Sequence, residues 1–236
     1  MNKKLLIIGA GGHARSVMDI IIQNNEYEIA GCIDNLYGKQ QFVEGMDGIE
    51  IIGNDEMFEE FFNKGYRKVF IAIGENRLRN KIFDKVVDIG FEPVNVISKN
   101  AFISEKAVLK KGICVMAGAV INANVKIDDN CIINTNCSID HDCIIGKSVH
   151  IAPGVAMSGT VVVGKLTQIG TGAVVIDNIV IGENTFVGGG GLSSIISKTM
   201  LLFLVILQRL SALIKLTFSI LKKQYLFGSR NYFSSQ

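Results

Sequence analysis

His13, His141 and His150 are the whole imidazole supply of this 236-residue chain, and each lies in a setting that suits it to chemistry. His141 stands between two aspartates in Ile139-Asp140-His141-Asp142-Cys143-Ile144. Imidazole titrates near neutrality, so it can take a proton from a hydroxyl or amine as that group attacks a carbonyl. Either neighbour, Asp140 or Asp142, could fix its tautomer and stabilise the imidazolium. His13 closes Gly9-Ala10-Gly11-Gly12-His13, which follows the wholly apolar run Leu5 to Ile8 and leads into a helical pattern from Ala14 to about Gln23. Strand, glycine loop and helix amino terminus in that order offer backbone N–H groups and a positive dipole end to anionic oxygens. A second apolar run, Ile29 to Ile33, ends in Asp34-Asn35, about where a carboxylate meets a ribose hydroxyl in dinucleotide folds. A third, Val69 to Ile73, ends in Gly74-Glu75-Asn76 and predicts a helix through Arg77 to Val87.

The elements that must position these groups follow from a second pattern. From Ile103 to Val187 an aliphatic residue falls at every sixth position without a failure, and the position four residues later is small or β-branched, as at Cys131, Cys137, Cys143, Val149 and Val155. A period of six fits neither a helix nor a lone amphipathic strand. It predicts a hexapeptide β-helix, in which each hexad forms one side of a triangular coil and buries its first and fifth residues. Glycines in Ile145-Gly146, Val163-Gly164, Ile169-Gly170 and Ile181-Gly182 are expected at corners where the backbone bends. His141 takes the third, outward position of its hexad.

Gly9-x-Gly11-x-x-Ala14 formally satisfies the dinucleotide fingerprint. Fewer than 100 residues precede the hexads, too few for a full dinucleotide fold with a domain for hydride transfer, so a nucleotide-linked sugar is the better expected ligand than NAD. Phe91 to Ile97 reads as a last strand, with Ser98-Lys99-Asn100-Ala101 as a short, stiff link into the first hexad. The expected division is residues 1–98 as a small Rossmann-like parallel-sheet domain, 99–191 as a left-handed parallel β-helix, and 192–236 as an atypical tail.

Net charge is +2, but the six Lys/Arg after Gly190 are matched by no Asp/Glu, so the body before them is acidic and carries no sign of nucleic-acid binding. The cysteines at 131, 137 and 143 occupy small buried positions and lack the close Cys-x-x-Cys pair of a zinc site, so no metal is expected. Free buried thiols suit a reducing cytoplasm, and the apolar run after Lys3-Lys4 is too short for an export signal.

The residues as a set resemble the family of sialic acid O-acetyltransferases and bacillosamine-type nucleotide-sugar N-acetyltransferases. The motifs that carry the resemblance are Gly-Ala-Gly-Gly-His after the first strand, Ile-Asp-Asn after the second, Ile-Gly-Glu-Asn after the third, Asn134-Thr135 with Ile139 to Gly146, and Ser148 to Gly154. The resemblance implies Gly11, Gly12, His13, Asp34 and Asn76 as sugar-nucleotide contacts, His141 as general base with Asp142 where the family more often has Glu, and His150 with Gly146 as acetyl-CoA contacts. It further implies acetyl-CoA as co-substrate, a sugar or nucleotide-sugar acceptor, and a homotrimer with active sites between adjacent β-helices. Direct transfer needs no cysteine nucleophile. A noncatalytic sugar-nucleotide-binding or scaffolding trimer is the alternative.

After about Gly191 the composition turns apolar and basic. Met200 to Leu207 is too short an apolar run to span a membrane before Gln208 and Arg209, so no membrane span is expected. A frameshift near Gly188 to Gly191 is the expected origin of this tail. A shifted reading of Ile196 to Ser211 accommodates the Gly-Asn-Pro-Ala-Lys ending that resembles hexapeptide acyltransferases.

Overall fold

The computed structural model describes residues 3–190 together with the strand Leu192–Ser193. The tail expected over 192–236 otherwise lies outside the described residues, as does any consequence of a frameshift there.

Five parallel strands, β1 (Lys4–Ile8), β2 (Glu28–Ile33), β3 (Ile51–Gly53), β4 (Lys68–Ile71) and β5 (Glu92–Pro93), form one sheet in the order β3-β2-β1-β4-β5. Its helices are α1 (Gly12–Asn24), α2 (Phe58–Asn63) and α3 (Asn76–Ile89). β1 is apolar throughout its length after Lys4 because both of its faces are covered. Side-chain alternation sends Leu5 and Ile7 toward α1, where they pack with Ala14, Val17 and Met18, and sends Leu6 and Ile8 toward α2 and α3, where they meet Phe58, Phe61, Ile82 and Val86. This is a small Rossmann-like layer, and its strand order reverses between β1 and β4, the place where such sheets open a crevice.

The chain then winds into a left-handed parallel β-helix. Two-residue strands stack in three ladders with a step of 18 residues, so that Ile133 pairs with Ile151, Ile139 with Met157 and Ile145 with Val163. The first and fifth hexad residues fill its interior: Ile121, Ile133, Ile139, Cys131, Cys137 and Cys143 are all fully buried. The backbone ladder continues to Ser193, which pairs with Val175, although the aliphatic register has stopped by then.

Two expectations are corrected here. The bend is made at the fourth hexad position, where Asn124, Asn130, Asn136, Asp142 and Ser148 all adopt positive φ. The second-position glycines serve close approach instead: a Cβ at Gly146 or Gly164 would come within 2.7 or 2.5 Å of backbone in the next coil. The single strand expected over 91–97 is two. Glu92–Pro93 completes the sheet, whereas Val96–Ile97 already pairs with Cys114–Val115 as the first rung of the coil. Asn95 turns the chain between them, donating to Lys110 O at 2.8 Å and accepting from Ile113 N at 2.9 Å.

The sheet layer and the coil share a core. Cys114, Met116 and Ile132, on one outer face of the β-helix, pack in the same cluster as Leu5, Ile7 and the apolar side of α1. A polar seam runs beside it. Arg79 of α3 is 1 % exposed, and its guanidinium donates to Asn130 O and Ser148 O on the coil and to Ile73 O, Gly74 O and Asn76 Oδ1 on its own side. Ser148 also donates to Asn80 Oδ1 at 2.8 Å, and Lys147 pairs with Asp84.

Candidate active site

The crevice at the switch point is a cavity of about 420 Å³ lined by the Gly9 to His13 loop, Asp34, Asn35, Asp55, Ala72 to Gly74, and Leu78 and Ile82 of α3. Gly11 is the N-cap of α1, with φ −79° and no side chain capping the helix. Neither crowding nor φ demands glycine there, since a Cβ at Gly11 would meet no atom within 4 Å. It would stand in the open space where a ligand's anionic oxygens could meet the helix amino terminus. Asp34 braces this loop: its Oδ2 accepts from Ala10 N at 2.8 Å and its Oδ1 from Leu36 N at 2.9 Å.

The structure thus brings Gly11, Gly12, His13 and Asp34 together at one cavity, but not Asn76. That side chain is 6 % exposed, donates to Leu166 O and Thr167 O on the coil, and accepts from Arg79. Asn76 fastens the two parts of the fold. Asp55 and Leu78 line the cavity without having been marked in the sequence, because single residues without a motif carry no signal.

His13 and His150 both sit near Arg79. Burial, then the guanidinium, lowers His13 to about 4, and burial, Arg79 and His13 in that order lower His150 to about 3. Both rings are therefore neutral across the physiological range. Asn134 Nδ2 lies 3.1 Å from His150 Nε2, and Asn134 Oδ1 is engaged by the Thr135 N–H. The amide therefore donates to Nε2, which assigns the proton of His150 to Nδ1. His150 Nδ1 and His13 Nε2 are buried without a partner. Gly146, expected beside a cofactor, packs beneath Lys165 and donates its N–H to Val163 O.

His141 occupies a different place. It follows the strand Ser138–Ile139 and precedes Ile144–Ile145, so it stands at the vertex of the triangle opposite the face on which the sheet layer rests. Its side chain is 57 % exposed, and its Nδ1 lies 2.8 Å from Asp142 Oδ2. The choice that spacing left open is resolved by geometry: Asp142 takes the ring, while Asp140 accepts from the His141 backbone N–H. Asp142 is itself steadied by Asn124 Nδ2 at 3.0 Å, and Asp140 by Asn122 Nδ2 at 2.9 Å. The hydrogen bond to Asp142 is the main reason the His141 pKa lies above its ordinary value, and the same bond holds the Asp142 carboxyl low. With Nδ1–H engaged by Asp142, the lone pair of the neutral ring is on Nε2. Asn122 and Asn124 were missed in the sequence, yet they lie 18 residues before Asp140 and Asp142, one coil below, and that offset is the signal that finds them.

Residues 4–86 match the family described as the PglD N-terminal domain. PerB from Caulobacter crescentus, solved in complex with CoA and GDP-perosamine, is 36 % identical with a TM-score of 0.79, the match covering 84 % of this chain and 92 % of that one. The acetyltransferase domain of PglB from Neisseria gonorrhoeae, solved with acetyl coenzyme A, is 30 % identical with a TM-score of 0.77 over 86 % and 97 %. An uncharacterized protein of Acanthamoeba polyphaga mimivirus is 36 % identical over 107 residues, 45 % of this chain, and the chain spans only 20 % of that protein's length.

Proposed function

The chain belongs to the hexapeptide-repeat sugar N-acetyltransferases of the bacillosamine and perosamine type, and from that premise we propose that it moves the acetyl group of acetyl-CoA onto the amino group of a nucleotide-linked sugar. The observation that carries this reading is the exposed His141, locked through Nδ1 to Asp142 at 2.8 Å and free at Nε2. Nε2 accepts a proton from the sugar amine as its nitrogen bonds to the thioester carbonyl carbon and the C–S bond breaks. Asp142 stabilises the imidazolium that results. An N-acceptor is preferred to a sialic acid hydroxyl because PerB was solved with GDP-perosamine, a nucleotide-linked amino sugar. The diphosphate would lie at the open amino terminus of α1, with Asp34 holding the loop.

His13 and His150 sit near Arg79 rather than beside His141, and Gly146 packs beneath Lys165 of the next coil. The crevice and the base stand on opposite sides of one chain, which supports a homotrimer in which the acceptor and acetyl-CoA meet a base between neighbouring β-helices. All five cysteines are unpaired and buried, which supports work in a reducing cytoplasm.

The test is thiol release from acetyl-CoA across a panel of amino-sugar nucleotides and sialic acids. His141→Ala should lower kcat by about 10² to 10⁴ while leaving the fold intact, the usual size of general-base assistance. Because the base must be neutral, kcat/KM should fall as pH drops through a pKa above the ordinary histidine value. Near wild-type turnover in His141→Ala would remove the base assignment. Acceptor binding without thiol release would return the noncatalytic reading.

A further inference from the structure

One coil beyond His141, 18 residues on, the chain carries Gly159, and the space above that glycine is already taken. A Cβ built there would lie 2.6 Å from Cε1, 2.8 Å from Nε2 and 3.1 Å from Nδ1 of His141. The φ of Gly159 is outside the left-handed region, so any residue could adopt its backbone conformation. What the position excludes is volume. The other β-helix glycines without positive φ that meet close neighbours (Gly146, Gly164, Gly170 and Gly189) meet backbone, whereas Gly159 meets an imidazole and nothing nearer.

We infer that Gly159 is the seat of the His141 ring, a positioning residue whose missing side chain lets the imidazole lie flat against the next coil while Nδ1 stays on Asp142. The backbone on both levels is held, since Thr160 N donates to His141 O at 2.9 Å and Asn178 N donates to Gly159 O at 3.2 Å. A methyl group at 159 therefore displaces the part that can turn, the ring, and turning it breaks the 2.8 Å contact with Asp142 and carries Nε2 away from its place. No motif along the chain marks Gly159, and its role emerges only from the 18-residue stacking.

This inference rests on the reading of His141 as base, and the experiment separates the two. In Gly159→Ala, kcat should fall on the order of 10²-fold, the cost of misplacing a catalytic group by about 1 Å, with the KM values for acetyl-CoA and acceptor and the melting temperature little changed. The decisive readout needs no turnover. The charged groups acting on the ring are Asp142 and Asp140, so NMR titration of the His141 Cε1–H should show its pKa moving down toward 6.5 in Gly159→Ala and in Asp142→Asn. The acid limb of kcat/KM should move with it, and Gly159→Ala/Asp142→Asn should titrate no lower than Asp142→Asn alone. An unshifted His141 titration in Gly159→Ala overturns the seat, as does a variant that unfolds, because the clash is then resolved elsewhere than at the ring. A shifted titration with turnover unchanged in both Gly159→Ala and His141→Ala keeps the seat and removes the base.

Discussion

Two loops leave the same edge of the sheet, one after β1 and one after β4, and each runs directly into a helix; they finish those helices in opposite ways. Gly11 gives α1 no cap, so its first N–H groups face the cavity unclaimed by any side chain. Glu75 closes α3 with its own carboxylate, Oε1 accepting from Arg77 N at 2.8 Å and Oε2 from Leu78 N at 2.6 Å. A helix end that already holds a carboxylate has little to offer a phosphate. Similar loops on one sheet edge thus differ in use: the first leaves its helix uncapped at the cavity, while the second commits Glu75 to its helix and Asn76 and Arg79 to the coil.

That division can be broken at its strongest point first. Arg79→Ala leaves five oxygens, buried or partly buried, short of a donor and should destabilise the fold by roughly 3–5 kcal/mol, seen as a lower denaturant midpoint. An unchanged midpoint would mean that α3 does not hold the layer to the coil. Next in size, Gly11→Val should raise KM or Kd for the nucleotide sugar at least ~10-fold, about 1.4 kcal/mol, with the acetyl-CoA affinity kept. Calorimetry showing equal losses for both ligands would place the anion elsewhere. The smallest effect sharpens the contrast: Glu75→Ala removes an N-cap and should cost about 1 kcal/mol of stability with acceptor binding unaltered. A large change in acceptor affinity would instead make the β4 loop part of the ligand site.

The hexads were legible because burial imposes their period directly: each side of the triangle has room for two inward residues, and only aliphatic or small ones serve. The glycine loop was legible as strand, turn and helix start because Gly9 to His13 follow directly on an apolar run, and the structure places that loop at the cavity. Asn76 misled because an Asn just after a strand has the same local look whether it meets a ligand or a neighbouring coil. Arg79 was written in the sequence but easy to pass over: 79, 82, 83 and 86 share one helical face, and a charge among Ile82, Phe83 and Val86 marks a buried cation that must find carbonyls. Around His141, reading along the chain finds the ring and its two aspartates, while reading across it, 18 residues at a time, is what brings in Asn122, Asn124 and Gly159.

The same 18-residue step makes the coil behave like an indexed shaft. Inserting six residues ahead of Ile139 would turn everything beyond it by one side of the triangle and bring His141 to a different vertex, although every local sequence rule would still be obeyed. Inserting eighteen would restore its bearing and raise it by one rung, about 4.8 Å. Length changes that keep the hexads intact therefore come in sixes, and only whole turns leave His141, which carries Asp142 and Gly159 with it, on the vertex that faces away from the sheet layer.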